Sequence, residues 1–298
     1  MTMPPIQAHS GSRQAGVAII AVLMVAALVA SIGGLLMLRQ QRALQQLEVR
    51  KDSAEARAAT WSVLQLVRLT LRDDARLAQP DHMLKPWAVP IPEIQIENGG
   101  LSGRLIELNG RFNLNHVLST DGKIDAQGLA AYRQLLVNLA LPAQLADALE
   151  RSWPTQAKNT PLQAVVEINE LAKIDGYNAA VLQRLEPHLV ALPVSTQINV
   201  NFVSAEVLAA WMPKLGVSRA EQVLASRRGK YFASVDEFAA VVPAQLRGDI
   251  PQAKLTVKSS FFWADMGARF GSVFLQHRAL LDRSKADMPT VLWMRRIY

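Results

Sequence analysis

VAIIAVLMVAALVASIGGLLML, residues 17–38, contains no charged side chain. The run is about 22 residues long, and a helix of about 20 crosses the hydrocarbon core of a bilayer. Backbone polar groups in lipid must pair within the segment, so a single crossing segment is a helix. A helix of a soluble protein would show a polar face, and none appears before Arg39. A secretory signal would have a shorter apolar region ending at a small-residue cleavage site. Ala27 and Ala30 would suit such a site, but the apolar sequence runs on to Leu38. The stretch is therefore expected to stay on the protein as a membrane helix.

Downstream, helical spacing continues to about Arg76. Leu44, Leu47, Ala54, Ala58, Trp61, Leu64 and Leu71 recur mostly at three- or four-residue steps, with Glu48, Arg50, Lys51, Asp52, Glu55 and Arg57 between them. Val17 to Arg76 is then one rod of about 90 Å, whose second half needs a sheet to cover its apolar side. The pattern is too short and irregular for a coiled coil.

Pro80 to Pro92 is a proline-studded connection. Ile94–Glu97, a turn at Asn98-Gly99-Gly100, and Leu101–Leu108 read as a hairpin. Helices are expected at 127–141 and 143–153, split by Pro142, then as short segments in 162–192 around Gly176. Three more are expected at 204–212, 218–228 and 234–241, with N-cap serines Ser204, Ser218 and Ser234. Strands return at 254–260, 261–266, 269–281 and 291–297. The expected fold class is α+β: a long N-terminal helix on an antiparallel sheet, with a large all-α unit inserted in the sheet. The boundaries read as a leader at 1–16, a membrane segment at 17–38 and the rest of the first helix at 39–79. The sheet unit follows at 80–112, the inserted helices at 113–253 and the closing strands at 254–298.

The chain has 298 residues, half of them hydrophobic, enough for a membrane helix and about two domains. It has no cysteine, which excludes disulfides, catalytic thiols and Cys-based zinc sites. The net charge of +7 comes from scattered residues with no basic run, which favours solubility over a nucleic-acid surface. Arg13 precedes the apolar run while Arg39, Arg42, Arg50 and Lys51 follow it, so loop charge leaves orientation open. His9, His82, His116, His188 and His277 lack metal-ligand spacing, and no Gly-x-Ser-x-Gly, phosphate loop or dinucleotide fingerprint occurs. Carboxylate pairs such as Asp73-Asp74 read as solvated. No enzyme, catalytic residue, cofactor or metal is expected.

The polar leader ends Arg13-Gln14-Ala15-Gly16 directly against the apolar run. This resembles the class III leader of type IV pilins and type II secretion pseudopilins. The resemblance implies a cut after Gly16 by a prepilin peptidase and methylation of the new N-terminus, Val17. Most members carry a glutamate at the fifth mature position, where this chain has Ala21. That points to the K-type minor pseudopilins (general secretion pathway protein K), which commonly lack it. Gly110-Arg111-Phe112-Asn113-Leu114-Asn115 is similar to the GRFNLN string of that family. In physical terms its glycine permits a turn, Phe112 anchors in a core, and the asparagines form Asx turns, a structural role.

Ile198-Asn199-Val200-Asn201 and the segment from Ser204 through Pro213-Lys214-Leu215-Gly216-Val217-Ser218 to Phe238 resemble the family's helix-hairpin-helix unit. A weaker copy lies around Ile174-Asp175-Gly176-Tyr177. Family members often have an acidic, calcium-associated stretch after a tryptophan. Here Trp153 is followed by Pro-Thr-Gln-Ala-Lys-Asn, and no carboxylate lies between Glu150 and Glu167. Calcium takes six to eight oxygen ligands, so no such site is expected, and Asp121, Asp125 and Asp147 are too dispersed to replace it.

The function this implies is assembly at the tip of a type II secretion pseudopilus. The implied partners are the I- and J-type minor pseudopilins, the major pseudopilin and the prepilin peptidase. The implied location is the inner membrane, single-pass, with the C-terminal bulk in the periplasm. Ala26-Ala27 and Gly33-Gly34 are the expected close-approach points for helix packing. One alternative is a membrane-anchored DNA receptor of the competence type, using Lys214, Arg219, Arg227, Arg228 and Lys230 as phosphate contacts. Its hairpin has Ser218 where the usual Gly-x-Gly has its second glycine, and a nucleic-acid partner is not expected. A minor subunit of a type IV pilus is a nearer alternative.

Overall fold

The computed structural model describes residues 12–119, 121–152, 167–284 and 287–297. Helix α1 spans Ser12–Arg76 without a break. Its Val17–Arg76 portion is the one helix, among the described residues, long and apolar enough to cross a membrane. Burial in α1 sets in only past its apolar half. Ala56, Thr60, Leu64 and Leu71 are fully buried, on one helix face, while Leu44, Leu47 and Trp61 are exposed. Leu64 and Leu71 of the expected apolar pattern thus meet the sheet, and Trp61 does not. Ala56 packs with Ala268, Phe270 and Leu275, where small side chains let helix and sheet approach closely. The Thr60 hydroxyl is satisfied by donating to the Ala56 carbonyl at 2.8 Å.

Strands β1 (Ile91–Ile96) and β2 (Gly99–Glu107) form the expected hairpin. Its turn is Glu97-Asn98, with Asn98 at φ +64°, rather than the Asn-Gly-Gly triplet. Gly99 and Gly100 are strand residues instead. A Cβ on Gly99 would lie 2.4 Å from the Arg269 carbonyl oxygen, so the glycine serves strand approach. Pro92 is tolerated because β1 is an edge strand.

The next elements are β3 (Phe112–Asn113), α2 (Ala126–Asn138), α3 (Gln144–Ser152), α4 (Ala179–Leu185), β4 (Leu189–Val190) and β5 (Ile198–Asn199). Helices α5 (Ala205–Trp211), α6 (Gly216–Ala225) and α7 (Val235–Val241) follow, then β6 (Leu255–Thr256). Ser204 and Ser234 cap α5 and α7 through the amides of Val207 and Glu237. Ser218 caps nothing, because α6 already begins at Gly216, whose φ of +70° makes the turn into it. The expected strand at 254–260 shrinks to β6, paired in parallel with β5.

Strands β7 (Phe261–Phe270), β8 (Val273–Asp282) and β9 (Thr290–Arg296) complete an antiparallel sheet of order β1-β2-β7-β8-β9. The β7–β8 turn falls at Gly271, φ +49°, not at Gly267. Gly267 sits in mid-strand, where a Cβ would meet the Ser102 hydroxyl at 2.5 Å.

β2 and β7 are neighbours, with Glu107 opposite Phe262, so the helical residues between them lie outside the sheet. They have their own core around Phe112, Tyr132, Leu149, Leu208 and Phe238. Asp52 of α1 abuts Gly271, whereas Asp74 near its end pairs with Arg283. The helical insertion therefore leaves the sheet at the end farther from the apolar stretch.

Candidate functional site

The membrane-side residues sit on an open helix surface. Ala26 and Ala27 are exposed, and beyond the neighbouring residues and backbone of the helix itself no atom lies within 4 Å of where a Cβ on Gly33 or Gly34 would be. Gly16 lies within α1, and Val17 is 69% exposed. Higher on the same helix an apolar groove of about 270 Å³ opens between α1 and the β1–β2 hairpin. Its rim residues Leu66, Val89, Ile91 and Ile94 are exposed. The sequence reading missed this groove; the isoleucine-rich edge strand was its only signal.

The asparagines of the two motifs are brought together at the root of the helical insertion, and each is buried. Asn113 accepts from the amides of Asn115 and Leu192, both at 3.1 Å, and donates to the Val194 carbonyl at 2.7 Å. Asn115 donates to the Leu192 carbonyl at 2.8 Å. Asn109 accepts from Ser260 and Phe261 amides at 3.0 Å. Asn199 accepts from the Asn201 amide at 2.9 Å, and Asn201 clasps the backbone of Phe232 from both sides. The Asx turn expected at Asn113 is present and a further one, not expected from the sequence, forms at Asn199; their side chains also stitch segments about 80 and 60 residues away. Gly110 is in a turn, and a Cβ on it would come within 2.6 Å of Phe202.

Beside these asparagines lies a buried charge cluster that sequence reasoning did not find. Lys85 Nζ is 2.6 Å from Asp74, and Arg283 bridges Asp74 at 3.2 Å and Asp81 at 2.5 Å. Asp81 also accepts from the Ser259 amide at 2.7 Å. Glu107 accepts from the Gly110 amide at 2.8 Å and is hydrogen-bonded to the Ser259 hydroxyl. Burial, opposed by the bonds from Ser259 and Gly110, pushes Glu107 up to about 7. Burial also raises Asp81 despite the Arg283 charge.

The basic residues of the hairpin region are mostly engaged within the chain. Lys214 pairs with Asp249 at 2.9 Å and Lys230 with Glu237 at 2.5 Å. Arg227 donates to the Val200 carbonyl at 3.0 Å, and burial lowers it to about 10. Arg219 is exposed; the Arg228 side chain falls outside the description. The shortened loop after Trp153 lies outside the described residues, among which no group of three or more His, Cys, Asp or Glu residues is placed to hold a metal. Asp125 caps α2, Asp121 pairs with Lys123, and Asp147 pairs with Arg133.

Comparison with known proteins gives a consistent answer. Two profiles of the family described as type II secretion system (T2SS), protein K match, over residues 110–194 and 198–258. Type II secretion system protein K of Pseudomonas aeruginosa is 30% identical over 255 residues, covering 76% of each chain. The Klebsiella pneumoniae protein of the same description is 29% identical over 308 residues, 91% of this chain and 93% of the relative. Among solved structures, a chain of the GspK-GspI-GspJ complex from the type 2 secretion system of enterotoxigenic Escherichia coli shares the fold. Its TM-score is 0.64 at 21% identity, covering 86% of this chain and 99% of the other. With this identity and coverage, and with both motif regions inside the matched profiles, the chain belongs to the type II secretion system protein K family.

Proposed function

We propose that this protein is the minor pseudopilin that caps the tip of a type II secretion pseudopilus and initiates its assembly, supporting export of folded proteins across the outer membrane. The observation that carries this is the placement of the helical insertion. It is spliced between adjacent strands β2 and β7, at the end of the sheet farther from the apolar stretch. Bulk at that end obstructs a further subunit above it and leaves the apolar helix free to pack below. In this reading the protein is cut after Gly16, methylated on Val17, anchored in the inner membrane by residues 17–38, and periplasmic beyond them. Helix packing uses the open positions Ala26, Ala27, Gly33 and Gly34. The I- and J-type minor pseudopilins are the expected partners, because the similar solved chain was crystallised in a GspK-GspI-GspJ complex. The domain limits at 113 and 253 are part of the same reading. The nucleic-acid alternative has less behind it, since Lys214 and Lys230 already sit in ion pairs.

The test is co-expression with a prepilin peptidase and the I- and J-type proteins. A mature chain beginning at Val17, lost on Gly16→Asp, and a ternary complex on purification are the expected results. An unprocessed chain that binds neither partner would overturn the proposal.

A further inference from the structure

The buried charges at the junction do not balance. Asp74 ends α1, Asp81 and Lys85 lie in the connection after it, Glu107 ends β2, and Arg283 follows β8. Among the described residues, three carboxylates thus face two buried cations, with side-chain exposures of 10% or less for Asp74, Asp81, Lys85 and Arg283. Glu107 is 7% exposed. Arg111 is the next cation facing Glu107, and His82, held below the usual imidazole range by burial and by the Lys85 charge, is stacked on Tyr231 of the insertion at 3.8 Å. One Asp81 carboxylate oxygen is buried with no partner among the described residues. Besides Arg283 on Asp81, the groups that contact the two inner carboxylates come from the root of the insertion. They are the Gly110 amide, the Ser259 amide and the Ser259 hydroxyl, which itself accepts from Asn199 at 2.8 Å.

We infer that the Asp81–Glu107 pair holds one proton and works as a proton-operated latch between the sheet and the inserted helices. With the proton bound, the cluster is neutral, and Ser259 and Gly110 hold the insertion against β2. Without it, an excess negative charge is enclosed where water cannot reach it, and opening the junction is the way to solvate it. The sign follows from linkage. Glu107 sits at about 7 in the fold and near 4.5 when exposed. The closed junction is therefore favoured below that range and loses stability as pH rises through about 7. Between pH 6 and 8 the opening equilibrium should change about tenfold for one such proton. The inference does not depend on the assembly reading above.

Amide hydrogen exchange on the full chain in detergent tests it, at pH 6, 7 and 8, with rates corrected for chemical exchange. Peptides covering residues 107–112 and 256–262 should lose protection about tenfold from pH 6 to 8, while a reference peptide in α2 does not. Glu107→Gln, which mimics the protonated acid, should abolish the pH dependence and keep the protection. Asp81→Asn should flatten it as well and decides the matter if Glu107→Gln does not fold. A wild type with no pH slope at the junction, variants that keep its slope, or an equal loss in α2 would each overturn the latch.

Discussion

Replacing Asn113 by alanine tests whether the GRFNLN string is structural. The residue is fully buried, so its bonds have no water to replace them. The substitution withdraws the acceptor from the Leu192 and Asn115 amides and the donor from the Val194 carbonyl. A lost buried bond costs about 1–3 kcal/mol when a partner stays unsatisfied, so about 3–9 kcal/mol is expected for the three. That is a large part of the roughly 5–15 kcal/mol that holds a typical domain folded. Urea unfolding of the full chain in detergent, followed by tryptophan emission, is the assay. Trp211 is the reporter, stacked on Phe112 at 5.6 Å next to the substitution. Arg219→Ala is the control; it is exposed and should move stability by no more than about 0.5 kcal/mol. Asn113→Asp keeps the two accepted bonds but puts an acceptor where the Asn113 amide donated to the Val194 carbonyl, and should be at least as damaging. A cost below about 1 kcal/mol for Asn113→Ala would refute the reasoning.

Gly128→Ala should prevent α2 from seating, because its Cβ would fall 1.9 Å from the His116 carbonyl oxygen; loss of soluble, protease-resistant chain is the readout. Leu64→Ala, at the fully buried α1–sheet contact, should cost about 2–5 kcal/mol in the same urea assay. Gly271→Ala should also destabilise, because its φ is +49° and the new Cβ would press on Asp52; a lowered melting temperature checks it.

The long rod of α1 was legible because charge-free length and helical spacing are local signals. The face it buries was legible only in part, at Leu64 and Leu71. Residue size ranks Trp61 above Ala56, yet the sheet selects Ala56 because only a small side chain admits its close approach. Glycines carried a similar ambiguity. Gly267 and Gly271 are equal as turn residues, and Ser102 on the neighbouring strand decides between them. Ser218 looked like a cap because the sequence does not show that Gly216 has already turned the chain. The asparagine motifs were half legible, since an Asx turn is local while its cross-chain partner is not. The Arg283–Asp81 pair joins residues 202 positions apart, and no sequence pattern announced it.

Two buried groups outside the membrane segment set opposing pH dependences on stability, and the opposition is itself testable. Burial lowers His116 to about 4, despite its hydrogen bond to Thr196. The unfolded chain therefore binds this proton first, and stability falls as pH drops from about 6.5 toward 4. Glu107 is raised to about 7, so its contribution falls in the other direction, as pH rises from about 4.5. Each slope approaches 1.4 kcal/mol per pH unit inside its window. Between pH 5 and 6 the two should nearly cancel in the wild-type protein. Removing one proton site exposes the other: Glu107→Gln should become more stable with rising pH, and His116→Gln less stable. Urea midpoints at pH 5.0, 5.5 and 6.0 read the sign directly. If both variants slope the same way, the assignment of at least one buried proton is wrong, and a flat wild type would then need another cause.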